Sequence, residues 1–397
     1  MTYNTVSPQY ESYLQDESRL RGSADLITFP TDAGELSEIL KESSEKNQRV
    51  TFQGARTGIM GGAVPQGGII VNLSNMNKIF QADETGTSGE NNRRITVQAG
   101  ATLGDVAAAL RKTGLFFPVN STEDTATLGG VYASGATGLY GLRFGEPEQY
   151  FENVKWINLR GEPRETSMGP SLLWGGGGRD GAAAELTLRL AVLPKAVWGV
   201  VYFFSSDTKL TNFASRLKSW RGQGPNAKED LYCAEYFDYG ALLLLKSDKN
   251  TPEFSADARS AIYTELRGDN EDKLEESLNA HLDLFLECGG QEDDTWAENG
   301  ESGVSRFRGL RHKITELIGS AVIPGCIRAE RSFHGPEDKF REYLAALRRQ
   351  LDETGGIQGA VYGHLLQNHL QAALLPEDAA GAAAARALLK QWPEVLK

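Results

Sequence analysis

Residues 51–77 read TFQGARTGIMGGAVPQGGIIVNLSNMN, a glycine-rich segment between two short apolar runs. Gly54, Gly58, Gly61 and Gly62 lack a Cβ atom, so the backbone can take positive φ and turn its N–H groups towards an anion at close range. The spacing matches neither the Gly-x-Gly-x-x-Gly turn nor the Walker loop, which needs Lys and then Ser or Thr. The stretch therefore predicts a pyrophosphate loop outside those two folds, and the alternative is a glycine-rich hairpin with no ligand.

A second segment, PVNSTEDTATLGGVYASGATGLYGLRFG at 118–145, is again rich in small residues and hydroxyl groups. Small residues bury little apolar area for each residue that folding orders. A stretch of this length therefore suits a protein interior where a large ligand fills the remaining space, and a flat aromatic cofactor would do so.

The two segments together resemble the FAD-binding domain of the vanillyl-alcohol oxidase and p-cresol methylhydroxylase flavoproteins. The resemblance is to the branch with D-lactate dehydrogenase, glycolate oxidase and D-2-hydroxyglutarate dehydrogenase. That family reads close to RGxGTGxxGGAVP and DTATIGGNxAxNAxGxxxxRYG, where this chain reads QGARTGIMGGAVP and DTATLGGVYASGATGLYGLRFG. A third block, WGGGGRDGAAAELTLRL at 174–190, is similar to the family's GSEGTLGIITEATLRL.

The resemblance implies an α+β fold, with a two-subdomain FAD-binding domain and a ferredoxin-like α+β substrate domain that covers the flavin ring. The chain has 397 residues, which is long enough for two domains. We expect the FAD-binding domain at 1–195, the substrate domain at 196–376 and a C-terminal helical tail at 377–397. The residues expected to hold FAD are Gly54, Ala55, Arg56, Thr57, Gly58, Ile59, Gly62, Pro118, Thr122, Thr125, Gly129, Gly130, Ala133, Ser134, Gly181 and Ala183.

Two positions in the first loop depart from related sequences. Arg56 replaces a glycine of the motif, and it either adds a positive charge beside the phosphates or points outwards. Thr57 stands where superfamily members that bind flavin covalently have a histidine. The resemblance therefore implies that FAD is bound non-covalently.

The family's metal block is only partly retained. Catalytic members resemble one another in GHxGDGNLHxN, where two histidines hold a divalent metal that grips the substrate, and the counterpart here is GHLLQNHLQAA at 363–373. His364 keeps the first histidine, whereas Gln371 replaces the second and Gln367 replaces the aspartate. Because a glutamine oxygen is a poor ligand for a transition metal, we expect no metal, with His369 as a displaced ligand the alternative.

The family's second catalytic block, SAEHGxG, has no counterpart, since Glu-His-Gly occurs nowhere in the chain. Two interpretations stay open. Either the enzyme uses another base, with His369, His364 and Tyr362 as candidates, or it has lost hydroxy-acid oxidation and keeps FAD for another purpose. Either histidine could instead be a hydrogen-bonded strand residue or face solvent.

Two further residues are candidates for substrate binding. Arg328 follows the apolar run AVIPGCI, and its fork of donors suits a carboxylate. His312 lies in FRGLRHKITELI, which resembles the FRHAxPE segment of some relatives. The alternatives are a surface arginine and a histidine on the outside of a helix.

Composition narrows the partners and the compartment. Lys and Arg number 41 against 53 Asp and Glu, a net charge of −12, which argues against nucleic acid because phosphate neutralisation dominates such binding. The three cysteines are far apart and form no Cys-x-x-Cys pair, as expected in a reducing cytoplasm. No apolar run is long enough to span a bilayer.

The sequence therefore predicts a cytoplasmic FAD-dependent oxidoreductase that oxidises a small 2-hydroxy acid, such as D-lactate or glycolate. A protein or quinone-type acceptor is expected to take the electrons. A first alternative is an FAD-carrying electron-transfer or non-catalytic subunit of a larger complex. A second is a flavoprotein that oxidises an amine or alcohol without a metal.

Overall fold

The computed structural model describes residues 2–80, 93–119, 123–167, 175–220, 230–335 and 339–395. The chain forms two compact units. The first contains Met1–Gly138 and Glu146–Leu193, and the second contains Leu139–Gly145 and Pro194–Lys397. Residues 139–145, which the sequence analysis assigns to the FAD-binding domain, thus pack with the second unit.

The first unit is built from short strands and three helices. Its strands are β1 (Asn4–Thr5), β2 (Leu26–Thr28), β3 (Val50–Gln53), β4 (Ile69–Asn72), β5 (Arg94–Gln98), β6 (Leu115–Phe116), β7 (Phe151–Asn158), β8 (Pro163–Ser167), β9 (Gly181–Arg189) and β10 (Ala191–Val192). Its helices are α1 (Ala33–Glu45), α2 (Leu103–Leu110) and α3 (Leu128–Ser134).

These strands form two four-stranded sheets and one pair. The first sheet has the order β1-β2-β4-β3, in which β2, β4 and β3 run parallel. The second has the antiparallel order β5-β9-β7-β8, and β6 pairs with β10. One apolar core joins both sheets, because α1 turns Leu36, Ile39 and Leu40 inwards at helical spacing and these contact residues of β4, β7 and β9.

The second unit consists of one large sheet and its helices. Its strands are β11 (Ala196–Phe204), β12 (Leu231–Phe237), β13 (Ser260–Gly268), β14 (Thr295–Asn299), β15 (Ala329–His334), β16 (Gln358–His364) and β17 (His369–Leu375). Its helices are α4 (Gly141–Phe144), α5 (Asp207–Trp220), α6 (Tyr239–Ser247), α7 (Glu271–Glu287), α8 (Gly300–Ala321), α9 (Phe340–Asp352) and α10 (Ala379–Val395).

The seven-stranded sheet has the order β14-β11-β13-β12-β16-β17-β15, and neighbouring strands are antiparallel. Its first four strands follow the chain order β11, β12, β13, β14 and the spatial order 4-1-3-2, which is the ferredoxin-like arrangement, with α6 inserted between β12 and β13. The other three, β15, β16 and β17, repeat this arrangement without a fourth strand. The predicted α+β fold is confirmed, and the second unit contains a second, partial ferredoxin-like half.

The two faces of this sheet differ in polarity. One face packs against apolar residues of α5, α7, α9 and α10, among them Phe213, Phe285, Leu344 and Trp392. The other face carries ionisable side chains that are almost fully buried, and α8 crosses it. Within the described ranges, the chain has no helix whose length and apolar content would let it cross a bilayer.

Candidate functional site

The glycine-rich loop 55–62 of the first unit is held firmly at both ends. The side-chain amide of Gln53, at the end of β3, donates to the carbonyls of Ala63 and Tyr13 at 2.7 and 2.8 Å. Asn72, at the end of β4, donates to the Gly54 carbonyl at 3.1 Å. The loop therefore leaves the parallel sheet at a position that buried side-chain amides define.

The backbone amides of this loop have no acceptor among the residues that the structure describes. In the part of the chain that the structure describes, no N–H of residues 55–62 donates a hydrogen bond to a protein group. A Cβ added at Gly58 or Gly62 would meet nothing within 4 Å. A run of unpaired donors beside open space is what a diphosphate needs, so the loop fits the predicted cofactor.

Two other predicted glycines, Gly54 and Gly129, are required by close packing. A Cβ at Gly54 would lie 2.0 Å from Oγ1 of Thr127, the residue that caps α3, and a Cβ at Gly129 would lie 2.8 Å from that of Ala99. The Gly129 amide donates to the Ala99 carbonyl at 2.8 Å, and the Gly130 amide donates to Thr127 at 3.3 Å. These amides are occupied, so any contact of Gly129 or Gly130 with FAD would use their Cα atoms, which stays a prediction.

The loop that precedes β9 runs past the C-terminal end of α3. The amides of Gly175 and Gly177 donate to the carbonyls of Tyr132 and Ala133 at 3.2 and 2.8 Å. Gly181 has φ of 153°, and a Cβ there would lie 2.2 Å from the Ile157 carbonyl oxygen. This glycine is therefore needed where β9 meets β7.

The remaining predicted FAD residues all belong to the first unit. Ala55, Thr57 and Ile59 lie in the glycine-rich loop, Ser134 ends α3, and Ala183 is buried in β9. Pro118 is buried beyond β6, and Thr125 precedes α3 with its hydroxyl on Glu123. Thr122 lies outside the described residues, and the FAD contacts of the whole set stay predictions.

Arg56 has an unusual backbone conformation. Its φ of 63° lies in the left-handed region that favours glycine. Its guanidinium lies over the ring of Tyr13, 4.1 Å from the centroid, and its carbonyl accepts from the amide of Glu17 at 3.3 Å. Of the two orientations that the sequence left open for Arg56, the structure shows a side chain stacked on the N-terminal segment.

In the second unit, one row of ionisable side chains crosses four adjacent strands. Glu235 of β12 lies opposite His364 of β16, which lies opposite His369 of β17, which lies opposite His334 of β15. Directly opposed residues point to the same face of a sheet, so these four side chains are neighbours. The register thus brings together the two predicted catalytic histidines, His364 and His369, which the sequence separates by a turn.

Glu235 and His364 form a buried hydrogen-bonded pair, and Arg311 binds the same carboxylate. Nδ1 of His364 contacts one carboxylate oxygen of Glu235, and Nε of Arg311 donates to the other at 2.7 Å. Burial raises the pKa of Glu235, but His364 and Arg311 outweigh it and hold that pKa below its usual value. Because the ionised carboxylate can only accept, Nδ1 of His364 carries a proton and donates it to Glu235.

His369 and Tyr362 both have environments that favour the neutral side chain. Burial lowers the pKa of His369 to about 3, and His364 and His334 add to the effect. Its ring stacks on that of His334 at 3.8 Å between centroids. Burial also raises the pKa of Tyr362, whose hydroxyl donates to Glu330.

A second buried carboxylate, Glu265 of β13, is saturated with donors. Arg308 donates to it at 2.6 and 2.8 Å and Arg267 at 3.1 Å, and the hydroxyls of Tyr263 and Tyr140 donate at 2.8 and 3.0 Å. Burial raises the pKa of Glu265, but the two arginines bring it below its usual value. Tyr140 belongs to α4's segment, so this network ties residues 139–145 to the sheet.

The predicted substrate residues Arg328 and His312 lie in contrasting places. Arg328 is buried, with Nε on Glu330 and Nη2 donating to the Thr315 carbonyl at 3.0 Å. His312 is 37% exposed in its side chain and pairs with Glu316 on the outside of α8 at 3.0 Å. The structure therefore gives the Arg328 guanidinium protein partners, and it places His312 on a helix surface, the alternative that the sequence left open.

Sequence reasoning missed three residues of this face, Glu235, Arg311 and His334. A signal for the first was present, because Glu235 is a lone acidic residue in the otherwise apolar strand LYCAEYF, and such a residue is buried only with a partner. Arg308, Arg311 and Thr315 recur at helical spacing along α8, which places them on one side of that helix. The sequence around these residues does not indicate which side chains they pair with.

Among the residues that the structure describes, no group of three or more His, Cys, Asp or Glu side chains has the arrangement to hold a metal ion. Gln371, at the position of the family's second histidine, lies opposite Tyr362 on β16. The expectation that no metal is bound stays a prediction.

Comparison with known proteins identifies the first unit. Residues 24–167 match the family model of the FAD binding domain. The chain is 32% identical over 204 residues to "D-lactate dehydrogenase" of Anaerostipes hadrus, covering 48% of this chain and 42% of that protein. It is 26% identical over 364 residues to "D-2-hydroxyglutarate dehydrogenase, mitochondrial" of Arabidopsis thaliana, covering 89% of this chain and 62% of that protein.

A solved structure of alkyldihydroxyacetonephosphate synthase superposes with a TM-score of 0.73 at 13% identity, covering 94% of this chain and 71% of that one. At this identity the likeness shows the fold. The chain spans less than two thirds of the length of either curated relative named above. The predicted fold and cofactor are confirmed, and the chain carries an FAD-binding domain.

Proposed function

We propose that this FAD-binding flavoprotein is a dehydrogenase that oxidises a small 2-hydroxy acid, such as D-lactate or glycolate, and passes the electrons to a protein or quinone-type acceptor. The support comes from the relatives named as D-lactate and D-2-hydroxyglutarate dehydrogenases, together with the site residues of both units. We further propose that the protein acts in the cytoplasm and holds FAD non-covalently, since Thr57 offers no nucleophile of the histidine type.

The observation that carries the proposal is the Glu235–His364 pair. FAD, when bound, supplies the two-electron oxidation. The protein must supply a base for the proton of the substrate hydroxyl, and a histidine oriented by a carboxylate is suited to that task. In the proposal, His364 accepts this proton at Nε2, and Glu235 stabilises the imidazolium that results.

The other two candidate bases are less suited. His369 has a pKa of about 3, so it binds a proton weakly at neutral pH. The Tyr362 hydroxyl has a raised pKa and donates to Glu330, so it is not available as a phenolate. Among the three candidates that the sequence names, His364 therefore takes the role of the base.

The test is anaerobic reduction of the flavin by substrate. The purified protein is mixed with D-lactate, glycolate, D-2-hydroxyglutarate or malate, and bleaching of the flavin absorbance is followed. We expect at least one acid to bleach the flavin, and we expect His364→Gln to slow bleaching by about 10²-fold or more. His312→Gln, on the helix surface, is the matched control and should bleach at the wild-type rate.

A second candidate function is an FAD-carrying subunit that transfers electrons without hydroxy-acid chemistry of its own. It is favoured by Gln371 at the position of a family metal ligand, and by the arginines that neutralise Glu265 and Glu330. Silence towards all four acids, in a protein whose flavin dithionite still bleaches, would support this candidate and contradict the first.

A further inference from the structure

Tyr13 is placed to control the conformation of the FAD-binding loop through Arg56. Its ring lies under the Arg56 guanidinium at 4.1 Å, a distance at which a cation and an aromatic face attract each other. The ring is itself held by Phe29 in an edge-on contact at 5.5 Å, and its backbone carbonyl accepts from Gln53 at 2.8 Å. Tyr13 is thus fixed to the same strand end from which the loop departs.

Arg56 needs such support because of its backbone. A φ of 63° is strained for any residue with a Cβ, and the loop motif that this chain resembles has glycine at this position. Arg56 also joins the N-terminal segment through its carbonyl, which accepts from Glu17 at 3.3 Å. The strained conformation therefore coincides with one side-chain contact, to Tyr13, that a glycine would lose, and one backbone contact, to Glu17, that a glycine could keep.

Further contacts join the N-terminal segment to the far end of the loop. A carboxylate oxygen of Asp16 accepts from the Ala63 amide at 3.3 Å. A Cβ added at Gly61, which has φ of 80°, would lie 2.6 Å from a methyl group of Leu20. The segment 13–20 therefore packs along the loop on one side, while the amides of residues 55–62 have no acceptor among the described residues.

We infer that Tyr13 is a positioning residue for FAD: by holding the Arg56 side chain, it keeps the loop in the conformation whose free amides receive the diphosphate. The inference rests on the FAD-binding domain and does not depend on which substrate the protein oxidises. In this inference Tyr13 acts through Arg56.

The test is a double-mutant cycle on FAD affinity, measured by quenching of FAD fluorescence on titration of the apoprotein. We expect Tyr13→Leu to weaken FAD binding about two- to fivefold, the size of one partly exposed cation–π contact. Tyr13→Phe keeps the ring and should bind FAD as the wild type does. In an Arg56→Gly background, Tyr13→Leu should have no further effect. Equal losses in both backgrounds, or an equal loss with Tyr13→Phe, would overturn the inference.

A second measurement uses the apoprotein alone. Trypsin cleaves after arginine, so the rate of cleavage between Arg56 and Thr57 reports how often the loop opens. We expect faster cleavage in Tyr13→Leu than in Tyr13→Phe at an unchanged unfolding midpoint, and equal rates would contradict the inference. If Tyr13→Leu does not fold, Arg56→Gln replaces it in the FAD titration, because it removes the cation and leaves Tyr13 intact. Since this change also removes the trypsin site, only its FAD affinity is compared. FAD binding of Arg56→Gln at the wild-type level would then overturn the inference, whatever the outcome with hydroxy acids.

Discussion

The loop 55–62 and the polar face of the seven-stranded sheet treat their polar groups in opposite ways. The loop presents a run of amide donors that have no acceptor in the described parts of the protein. On the sheet face, Glu235, Glu265 and Glu330 each accept from at least one arginine, and all three are buried. The loop is thus suited to receive an anion from outside the protein, whereas the carboxylates of the sheet face are already paired with arginines.

This difference separates ligand-binding groups from structural ones. Buried polar groups are nearly always paired, so unpaired donors at a well-held loop indicate a missing partner. A carboxylate that already accepts from two arginines and two tyrosines, as Glu265 does, has little capacity left for a substrate. On the sheet face, Nε2 of His364 is the atom that we propose as the proton acceptor.

The largest expected effect comes from breaking the saturated carboxylate. Glu265→Gln leaves Arg267 and Arg308 without their buried counter-charge, and we expect a loss of about 3–5 kcal/mol in the free energy of unfolding. The control is Glu316→Gln, since Glu316 pairs only with His312 and Lys313 on the surface of α8. We expect that control to change stability by less than about 1 kcal/mol. Urea denaturation measures both, and similar losses would show that the network is not structural.

The next effect tests the close packing of the cofactor loop. Gly54→Ala places a Cβ 2.0 Å from Oγ1 of Thr127, so we expect a loss of about 1–3 kcal/mol together with weaker FAD retention. Gly58→Ala introduces the same group where nothing lies within 4 Å, and the apoprotein should keep its stability within about 0.5 kcal/mol. Thermal unfolding of the two apoproteins makes the comparison, and it fails if Gly58→Ala is as damaging as Gly54→Ala.

A pH-dependent effect distinguishes the histidine row from the ion pairs beside it. The pKa of His369 is about 3 in the folded protein and near 6.5 in the unfolded chain, so the unfolded chain binds the extra proton between these values. His369 therefore lowers stability as pH falls below 6.5, by up to about 1.4 kcal/mol per pH unit.

The measurement is the difference between the wild type and His369→Gln from pH 7 to pH 5. Taking this difference cancels the contribution of Asp238 to the pH dependence of stability. Burial raises the pKa of Asp238 to about 7, and a raised carboxyl pKa stabilises the protein as pH falls through the same range. We expect the wild type to lose more stability than His369→Gln on acidification. Parallel pH profiles would mean that His369 is protonated as easily in the folded protein as in the unfolded chain.

The smallest expected effect concerns His312. Its ring pairs with Glu316 on the outside of α8, so His312→Gln should change the free energy of unfolding by less than about 0.5 kcal/mol. The KM for a hydroxy acid that bleaches the flavin should also stay the same. A raised KM would bring His312 back as a substrate-binding residue and would place a ligand where the structure shows a surface ion pair.

Much of the cofactor loop could be predicted because its signals are local. Each of these signals is a property of neighbouring residues: a glycine requirement, a helix cap at Thr127 or a strand end. Such signals can therefore be recognised in a short stretch of sequence. The sheet face could not be predicted in this way. Glu235 meets His364 across a separation of 129 residues, and no pattern near either one names the other.

Arg328 also shows that the sequence does not give the partner of a charged residue. Its position after an apolar run made it a candidate for binding a carboxylate, and a carboxylate does bind it, but that group belongs to Glu330, two residues further along the chain in β15. Which anion an arginine meets depends on what the fold has already placed beside it.

The amino-acid sequence by itself determined the cofactor class and the α+β architecture, and it predicted the loop for the diphosphate, because backbone conformations that require small residues depend on consecutive positions. Only the tertiary structure decided that residues 139–145 pack with the second unit, that Arg56 stacks on Tyr13, and that His364 is oriented by Glu235. Those outcomes depend on strand register and on long-range pairing of charges, which are settled when separate segments are buried together.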